Sequence, residues 1–434
     1  MSSAPTFSRA LSRNPAITPV TICALAITCV GLVGIALYGS VPIAGLIYAI
    51  FFASLTWVRP DLAFLVMFTA APCVYDLGGG PVNMALADIS LMVAFPILFA
   101  RKFLASGKLA VNPLRWPIWI YFAVCLVSIF INGAFQASVV SMLQMVVYLV
   151  IAIFVFSNCT QGISQLEPAF LGFIFVNVVF SIAAIALHSD YVLGLHKNAL
   201  GLEVGYGLIT CVELWIARTL ARRPKRWLTV ALALLSAGLV MSLSRGSWLG
   251  TVAGILIIFA IRRRYRLLFR SLAIMVPVIC LCWFSLPAQS REYALDISTS
   301  SQSTQARFQS IDISREQFLH SPLIGVGVGF RKVYDSTNLI MSTLAETGVL
   351  GLLTFLSIFI AFACMVFRAW QRLKENDPAI SLLSIGAALS LSSFVHGCVD
   401  HYWNRGLFPV WASMGLAIHA YNRALRVRAG TRLA

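Results

Sequence analysis

Charged residues are scarce in this chain. Asp, Glu, Lys and Arg together make up 11% of its 434 residues, whereas hydrophobic residues make up 59%. A typical soluble domain is about 25% charged and about 45–50% apolar. The mean hydropathy of +0.86 therefore excludes a soluble globular enzyme, a secreted disulfide scaffold and a disordered chain. Because each spanning helix needs about 20 mostly apolar residues, the composition indicates an all-α polytopic membrane protein.

Motifs for metals, redox chemistry and nucleic acid are missing as well. The ten cysteines are scattered, mostly within apolar runs, and they form no CxxC pair, so neither a zinc site nor a redox pair is signalled. Acidic residues number 16 against 32 basic ones. The basic clusters lie at the ends of apolar runs without a nucleic-acid-binding fold signature. We therefore expect no metal, no cofactor and no nucleic-acid partner.

Long apolar runs dominate what is present. The candidate spans are 19–38, 41–57, 61–75, 85–100, 116–132, 140–157, 168–187, 199–217, 228–243, 247–261, 268–286, 347–367, 379–396 and 406–421. Several of these runs are short for about 30 Å of hydrocarbon, so we predict 12 to 14 transmembrane helices. The first run lacks a clear cleavage site, which favours a retained span.

Basic residues set the predicted orientation. Their clusters all follow an even number of spans, and together with Arg59 they hold 24 of the 32 Lys and Arg residues. By the positive-inside rule, both termini are cytoplasmic. The longest polar segment, 287–346, then faces outward, with a predicted amphipathic helix around 305–320. We divide the chain into an N-terminal transmembrane bundle (1–286), this outer loop (287–346) and C-terminal helices with a cytoplasmic tail (347–434).

Arg245 is the first candidate for chemistry. It stands in MSLSRGSWLG between two apolar runs, at the predicted outer interface, with no other charge nearby. A charge at membrane depth is a functional candidate by default, and a guanidinium can hold a phosphate through two parallel hydrogen bonds. We expect Gly246 to let the backbone turn tightly. The alternative is an interfacial arginine that reaches lipid headgroups.

The segment GLHKNALGLEVGYG at 194–207 is the second candidate. His196, Lys197 and Asn198 stand at a predicted outer helix start, where unpaired backbone N–H groups attract anions. The glycines that follow permit close approach of a neighbouring helix. A purely structural helix start remains the alternative.

The end of the outer loop, 320–355, is the third candidate. Gly325, Gly327 and Gly329 have a spacing that resembles a phosphate-binding loop, but no strand precedes them, which makes a dinucleotide-binding motif implausible. Asp335 and Glu346 are the acidic residues of this segment. Glu346 is either a catalytic carboxylate or a cap for the span that follows.

The fourth candidate is SFVHGCVDHYWNRG at 393–406. His396, Asp400, His401 and Arg405 come together at a predicted outer helix end. His396 and Asp400 are four residues apart and therefore share a helix face. A metal site, a base or hydrogen-bonding cluster, and simple interface polarity all remain open.

Three of these segments together resemble a known family. The motifs are HKNALG, SRGSWLG, RFQSIDISREQFLHSPLIGVGVGF and STNLIMSTLAETGVLGLL. The chain resembles the O-antigen ligase and Wzy-type polymerase superfamily in these motifs and in their order along the sequence. The exopolysaccharide polymerases of the succinoglycan and xanthan type are the most similar branch. The resemblance implies a C-type glycosyltransferase fold with a large periplasmic loop. It also implies an undecaprenyl-diphosphate-linked donor and inverting, metal-independent chemistry.

One departure from the family pattern affects the site. Family members commonly carry His-Asn where this chain has Thr337-Asn338, and that histidine is a proposed catalytic residue of the ligases. Its absence weakens a ligase assignment. It also leaves the identity of the general base open.

We therefore expect a polysaccharide polymerase of the bacterial inner membrane. Arg245 is expected to stabilise the leaving diphosphate, with Lys197 and Arg307 in support. The candidates for the base are Asp335, Glu346 and His396. Further contacts to diphosphate or glycan are expected from His196, Asn198, Asn338, Asp400 and His401.

The expected partners are an undecaprenyl-diphosphate-linked oligosaccharide and membrane lipids, with flippase and chain-length regulator proteins as candidates. A ligase that joins a glycan to lipid A core or to a protein is the nearest alternative. A lipid or solute transporter is less favoured, because transporters place charges and broken helices near the midplane. A non-enzymatic assembly partner is a third alternative.

Overall fold

The computed structural model describes residues 41–73, 85–106, 109–132, 135–160, 162–192, 194–217, 225–296, 302–330, 337–400 and 407–431. The helices are α1 (Val41–Val58), α2 (Pro60–Ala70), α3 (Leu86–Ser106), α4 (Arg115–Asn132), α5 (Phe135–Met145), α6 (Ile153–Asn158), α7 (Ile163–Leu187), α8 (Lys197–Ile216), α9 (Lys225–Met241), α10 (Arg245–Arg262), α11 (Tyr265–Ser285), α12 (Ala288–Leu295), α13 (Gln302–His320), α14 (Leu339–Trp370), α15 (Ala379–Gly397) and α16 (Phe408–Thr431). A π-helical stretch, Val146–Ala152, joins α5 to α6. These ranges contain no named strand.

Seven helices in the described ranges are long and apolar enough to cross a membrane. They are Ala137–Asn158, which includes the π-helical stretch, and α7, α8, α10, α11, α14 and α15. Four further apolar helices are shorter, at 10–17 residues: Gly45–Val58, Pro60–Ala70, Arg115–Ile131 and Arg226–Met241. The all-α polytopic class is confirmed. The count of 12 to 14 spans stays a prediction, and its first window, 19–38, lies outside the described residues.

Burial separates central helices from peripheral ones. Nearly every residue of α8 and α15 is buried, so these two helices form the centre of the bundle. In α11 only Ser271 and Met275 are buried. Its Phe269, Leu281 and Phe284 are exposed large hydrophobic side chains. Such a helix is covered by lipid on most of its surface, since water would not accommodate this much apolar area.

Three glycines spaced four residues apart bring α10 against α15. A Cβ atom at Gly250 would lie 2.6 Å from the backbone oxygen of Ser392, and one at Gly254 would lie 3.0 Å from that of Ala388. Small residues at this spacing let membrane helices approach backbone to backbone. Gly246 continues this glycine stripe toward the end of α10 that carries Arg245. The stripe therefore fixes the position of α10 along α15.

The expected role of Gly246 in the turn before α10 is wrong. The residue with left-handed backbone geometry in that turn is Leu243, at φ 52°. Gly246 is helical, and a Cβ atom there would lie 2.7 Å from Cγ2 of Val399 and 3.2 Å from Cδ2 of His396. Gly246 is therefore required for packing rather than for turning.

A buried ion pair joins the central helices at the opposite end of the bundle. Nε of Arg262 donates to Oε1 of Glu213 at 3.0 Å and to Oε2 at 3.3 Å. Its Nη2 donates to the hydroxyl of Ser381. Arg262 belongs to a basic cluster that the sequence assigns to topology, yet here it connects α8, α10 and α15. A buried arginine needs such a partner, because an unpaired buried charge is strongly destabilising.

The outer loop contains the helix predicted around 305–320. It is α13, and its most buried described positions are Ser310 and Ser314, one turn apart. The buried side of α13 is thus small and polar. α14 begins at Leu339, eight residues before the predicted span, and contains a break at Gly348, where φ is 64° and ψ is −166°.

The predicted orientation can be tested by cysteine labelling in a cysteine-free background. Gln305 on α13 and Arg263 at the opposite end are both exposed. If both termini are cytoplasmic, a membrane-impermeant maleimide should label Gln305→Cys in intact cells. It should label Arg263→Cys only after permeabilisation. The reverse pattern would contradict the orientation.

Candidate active site

A pocket of about 340 Å³ lies at the end of the bundle that carries Arg245. Its walls come from the start of α10, from α13, from the residues before α14 and from the end of α15. Its polar lining residues are Arg245, Thr304, Arg307, Thr337, Asn338 and Cys398. Two segments of the sequence prediction, SRGSWLG and the outer loop, therefore meet here.

Arg245 and Arg307 reach this pocket from two different helices. Nη1 of Arg245 donates to the backbone oxygen of Asp296 at 2.8 Å. Within the described part of the chain, neither arginine forms an ion pair with a carboxylate. Two guanidinium groups without a counter-charge suit a ligand that carries phosphate, since charge-assisted bonds to phosphate are strong and bidentate.

Asn338 uses its side chain to connect two helices. Its Oδ1 accepts hydrogen bonds from the backbone N–H groups of Ile340 at 2.9 Å and Met341 at 3.0 Å, which caps the start of α14. Its Nδ2 donates to the backbone oxygen of Cys398 at 2.7 Å. Asn338, which the sequence predicts to contact diphosphate or glycan, therefore also fixes the start of α14 against the end of α15.

Thr337 and Cys398 complete the polar wall. The hydroxyls of Thr337 and Ser310 lie 3.1 Å apart, which joins the residues before α14 to α13. Burial raises the pKa of the Cys398 thiol, so the thiol is protonated at neutral pH and is a poor nucleophile. A covalent mechanism through this cysteine is therefore disfavoured.

His396 and Asp400 lie immediately behind the pocket. Nε2 of His396 is 3.7 Å from Oδ2 of Asp400, and both side chains are buried. The two side chains therefore lie close together, although α15 ends at Gly397 and Asp400 follows it in a turn rather than on the same helix face. Val399, between them, lines the pocket with Gly246, which the His396 ring also approaches. His401 and Arg405, the other two members of the predicted cluster, lie outside the described residues.

Glu346 and the glycine segment form a separate unit. Oε1 of the buried Glu346 accepts a hydrogen bond from the backbone N–H of Gly329 at 3.1 Å. The N–H of Gly327 donates to the backbone oxygen of Glu346, also at 3.1 Å, and that of Val326 donates to Ala345 at 2.8 Å. The loop backbone is therefore bound to α14. Glu346 does not line the pocket, and Asp335 lies outside the described residues.

Two glycines permit this contact between loop and helix. A Cβ atom at Gly325 would lie 2.3 Å from the backbone nitrogen of Thr347, and one at Gly348 would lie 2.3 Å from the carbonyl carbon of Leu323. Both glycines also have positive φ. The glycines thus form a backbone-to-backbone lock, and no phosphate is needed to explain their presence.

The second predicted segment lies at the same end of the molecule. His196 precedes the first residue of α8, and the hydroxyl of Ser247 donates to the backbone oxygen of Asn198 at 3.4 Å. The ammonium group of Lys197 lies 4.4 Å from the centre of the Tyr293 ring and donates to its hydroxyl. Lys197 and Arg245 therefore both attach the first part of the outer loop to the bundle. Tyr293 and the Asp296 carbonyl are partners that the sequence analysis missed, because nothing local in the sequence marks them.

A family comparison covers part of this site. Residues 230–356 match the family described as O-Antigen ligase. This region contains Arg245, Arg307, Asn338, Glu346 and the glycine segment, and the match confirms the resemblance to the O-antigen ligase and polymerase superfamily. The exopolysaccharide branch is not resolved by it. No curated protein matches the chain.

The lock between loop and helix predicts the effect of Gly348→Ala. The added methyl group would meet the backbone at Leu323, in a conformation that L-residues rarely adopt. We expect a loss of about 1–3 kcal/mol in stability and a lower thermal midpoint in detergent. Gly45→Ala is the matched control, because nothing lies within 4 Å of that position. Equal thermal midpoints for the two variants would contradict the lock.

Proposed function

We propose that this chain is a polysaccharide polymerase of the bacterial inner membrane that acts at its periplasmic face. The growing glycan would be the donor, linked through its anomeric carbon to undecaprenyl diphosphate. A hydroxyl of a lipid-linked repeat unit attacks that carbon, the new C–O bond forms, and the bond to the diphosphate oxygen breaks. The hydroxyl proton passes to a base and undecaprenyl diphosphate leaves. A single displacement of this kind inverts the anomeric configuration.

The observation that carries this proposal is the pair Arg245 and Arg307, which have no carboxylate partner among the described residues. Negative charge develops on the diphosphate as its bond to the sugar breaks, and fixed positive groups aimed at that charge lower the barrier. Arg245 and Arg307 line one pocket and lie within the region that matches the ligase family. Two guanidiniums could neutralise this charge, so the proposed transfer is metal-independent.

The base must lie within hydrogen-bonding reach of the acceptor hydroxyl. Of the described candidates, His396 lies beside the pocket wall at Gly246, whereas Glu346 holds the glycine loop. Oδ2 of Asp400 is 3.7 Å from Nε2 of His396, close enough for its charge to stabilise the imidazolium that forms on proton uptake, which is the role we assign to Asp400. Asp335 remains the other candidate.

A ligase is the second candidate function, because the matched family carries that description. The two activities differ only in the acceptor, which is a lipid-linked repeat unit for a polymerase and lipid A core or a protein for a ligase. The purified chain, given only lipid-linked repeat units, should form long polymer. Transfer that occurs only after lipid A core or protein is added would identify a ligase. Flippase and chain-length regulator proteins would be partners of the polymerase.

Arg245→Lys tests the role of the guanidinium. The variant keeps the charge but cannot form two parallel hydrogen bonds to a phosphate. Removing a transition-state contact of this kind costs about 2.7–4 kcal/mol, or roughly 10²–10³ in rate. We expect this loss of polymer formation by purified protein, with a normal protein level in the membrane.

Arg315→Lys is the matched control, because Arg315 is an exposed arginine on α13 outside the pocket. It should turn over at the wild-type rate. If Arg245→Lys does so too, Arg245 is an interfacial anchor and the proposed site is wrong.

A further inference from the structure

A second, larger cavity lies at the opposite end of the bundle. It has a volume of about 1070 Å³ and lies between the end of α8, the start of α11 and the residue Glu375 that follows α14. Arg263, Arg264, Arg266 and Arg270 line it, and Glu375 is the one acidic lining residue in the described part of the chain. These described lining residues carry four positive charges and one negative charge. Neither the proposed transfer reaction nor the matched family region explains this concentration of charge.

The four arginines differ in how they are held. Arg264 forms an ion pair with Glu375. The guanidinium of Arg263 lies 4.5 Å from the centre of the Trp370 ring. Arg266 and Arg270 have no ion-pair or hydrogen-bond partner among the described residues, and they lie four residues apart on one face of α11. Like charges at this spacing repel each other and destabilise a helix, so an anion between them would remove an unfavourable interaction.

The remaining lining residues are uncharged and mostly apolar. They are Trp215, Ile216, Tyr265, Leu267 and Ile274. Ile274 is one turn beyond Arg270, so the same face of α11 changes from charged to apolar along its length. α11 is also the helix with the least burial among the spans, and lipid covers most of it. The apolar part of the cavity therefore lies beside the lipid hydrocarbon around α11, and its arginines lie near the start of α11.

We propose that this cavity binds an anionic phospholipid, with the phosphate between Arg266 and Arg270 and the acyl chains along Leu267 and Ile274. A soluble anion would gain from the arginines but not from the apolar wall, and a zwitterionic lipid would bring a cation that opposes them. Basic pockets between membrane helices are known to hold acidic headgroups of this kind. The bound lipid connects α11 to the ends of α8 and α14 and so stabilises the rim of the bundle.

The test measures lipid-dependent thermal stabilisation of the purified, delipidated full chain in a neutral detergent. Phosphatidylglycerol, phosphatidylcholine with the same acyl chains, and inorganic phosphate are titrated separately. The cavity variant is Arg266→Gln with Arg270→Gln. Its matched control is Arg368→Gln with Arg426→Gln, which removes two exposed arginines from the same end outside the cavity.

Phosphatidylglycerol should raise the thermal midpoint of the wild type and the control. Each basic residue near a membrane surface contributes about 1 kcal/mol toward an acidic lipid. The two substitutions in the cavity should therefore weaken the apparent affinity about 30-fold, at about 1.4 kcal/mol per factor of ten. Arg266→Lys with Arg270→Lys keeps the charge and should lose less. Phosphatidylcholine and inorganic phosphate should have no effect at the same concentrations.

Four results would overturn the proposal. Undiminished affinity of the cavity variant would show that the cavity is not the site. An equal loss in both double variants would show a diffuse effect of surface charge. Stabilisation by phosphatidylcholine would exclude recognition of the headgroup charge. Stabilisation by inorganic phosphate at the same concentration would replace the lipid with a soluble anion.

Discussion

At the contact between α10 and α15, the glycine stripe brings two helix backbones together, and the pocket that contains Arg245 depends on this contact. Because the glycines let α10 lie directly against α15, Arg245 at the start of α10 lies beside the residues that follow α15. Asn338 then holds the start of α14 to the Cys398 carbonyl. The hydroxyl contact of Thr337 attaches α13 with its Arg307. The pocket with its two guanidinium groups therefore depends on the close helix packing that the glycines of α10 allow.

Arginine serves different purposes at the two ends of the bundle, and its partners distinguish them. Arg262 forms a buried ion pair with Glu213. Arg245 and Arg307 at one end, and Arg266 and Arg270 at the other, face cavities without a carboxylate partner among the described residues. The positive-inside rule accounts for how many basic residues each end carries. It does not account for which of them remain unneutralised beside a cavity.

Local patterns in the sequence predicted local structure well. Hydropathy located the helices, the polar segment 305–320 became α13, and the spacing of His396 and Asp400 placed them together. These inferences need only the helical repeat of 3.6 residues. The sequence also marked Arg245 as exceptional, since one isolated charge between two apolar runs stands out without any knowledge of the fold.

Features that join distant segments were not predictable in this way. Glu213 and Arg262 are 49 residues apart, and no local sequence pattern indicates that they form an ion pair. The glycine loop taken alone resembles a phosphate-binding loop only in its spacing, because its tertiary contact with the broken helix α14 cannot be seen in the loop sequence. Gly246 likewise suggests a turn, since its neighbour on α15 is about 150 positions away in sequence.

The central claim is that Arg245 and Arg307, from two helices, act on one diphosphate. A double-mutant cycle tests it: kcat/KM for polymer formation is measured for Arg245→Gln, Arg307→Gln and the double variant. Groups that act as a unit are strongly non-additive, and residues that share a ligand couple by about 0.5–3 kcal/mol. We predict that the double variant loses much less than the product of the two single losses. Losses that multiply would show that the two arginines act independently and would contradict the account.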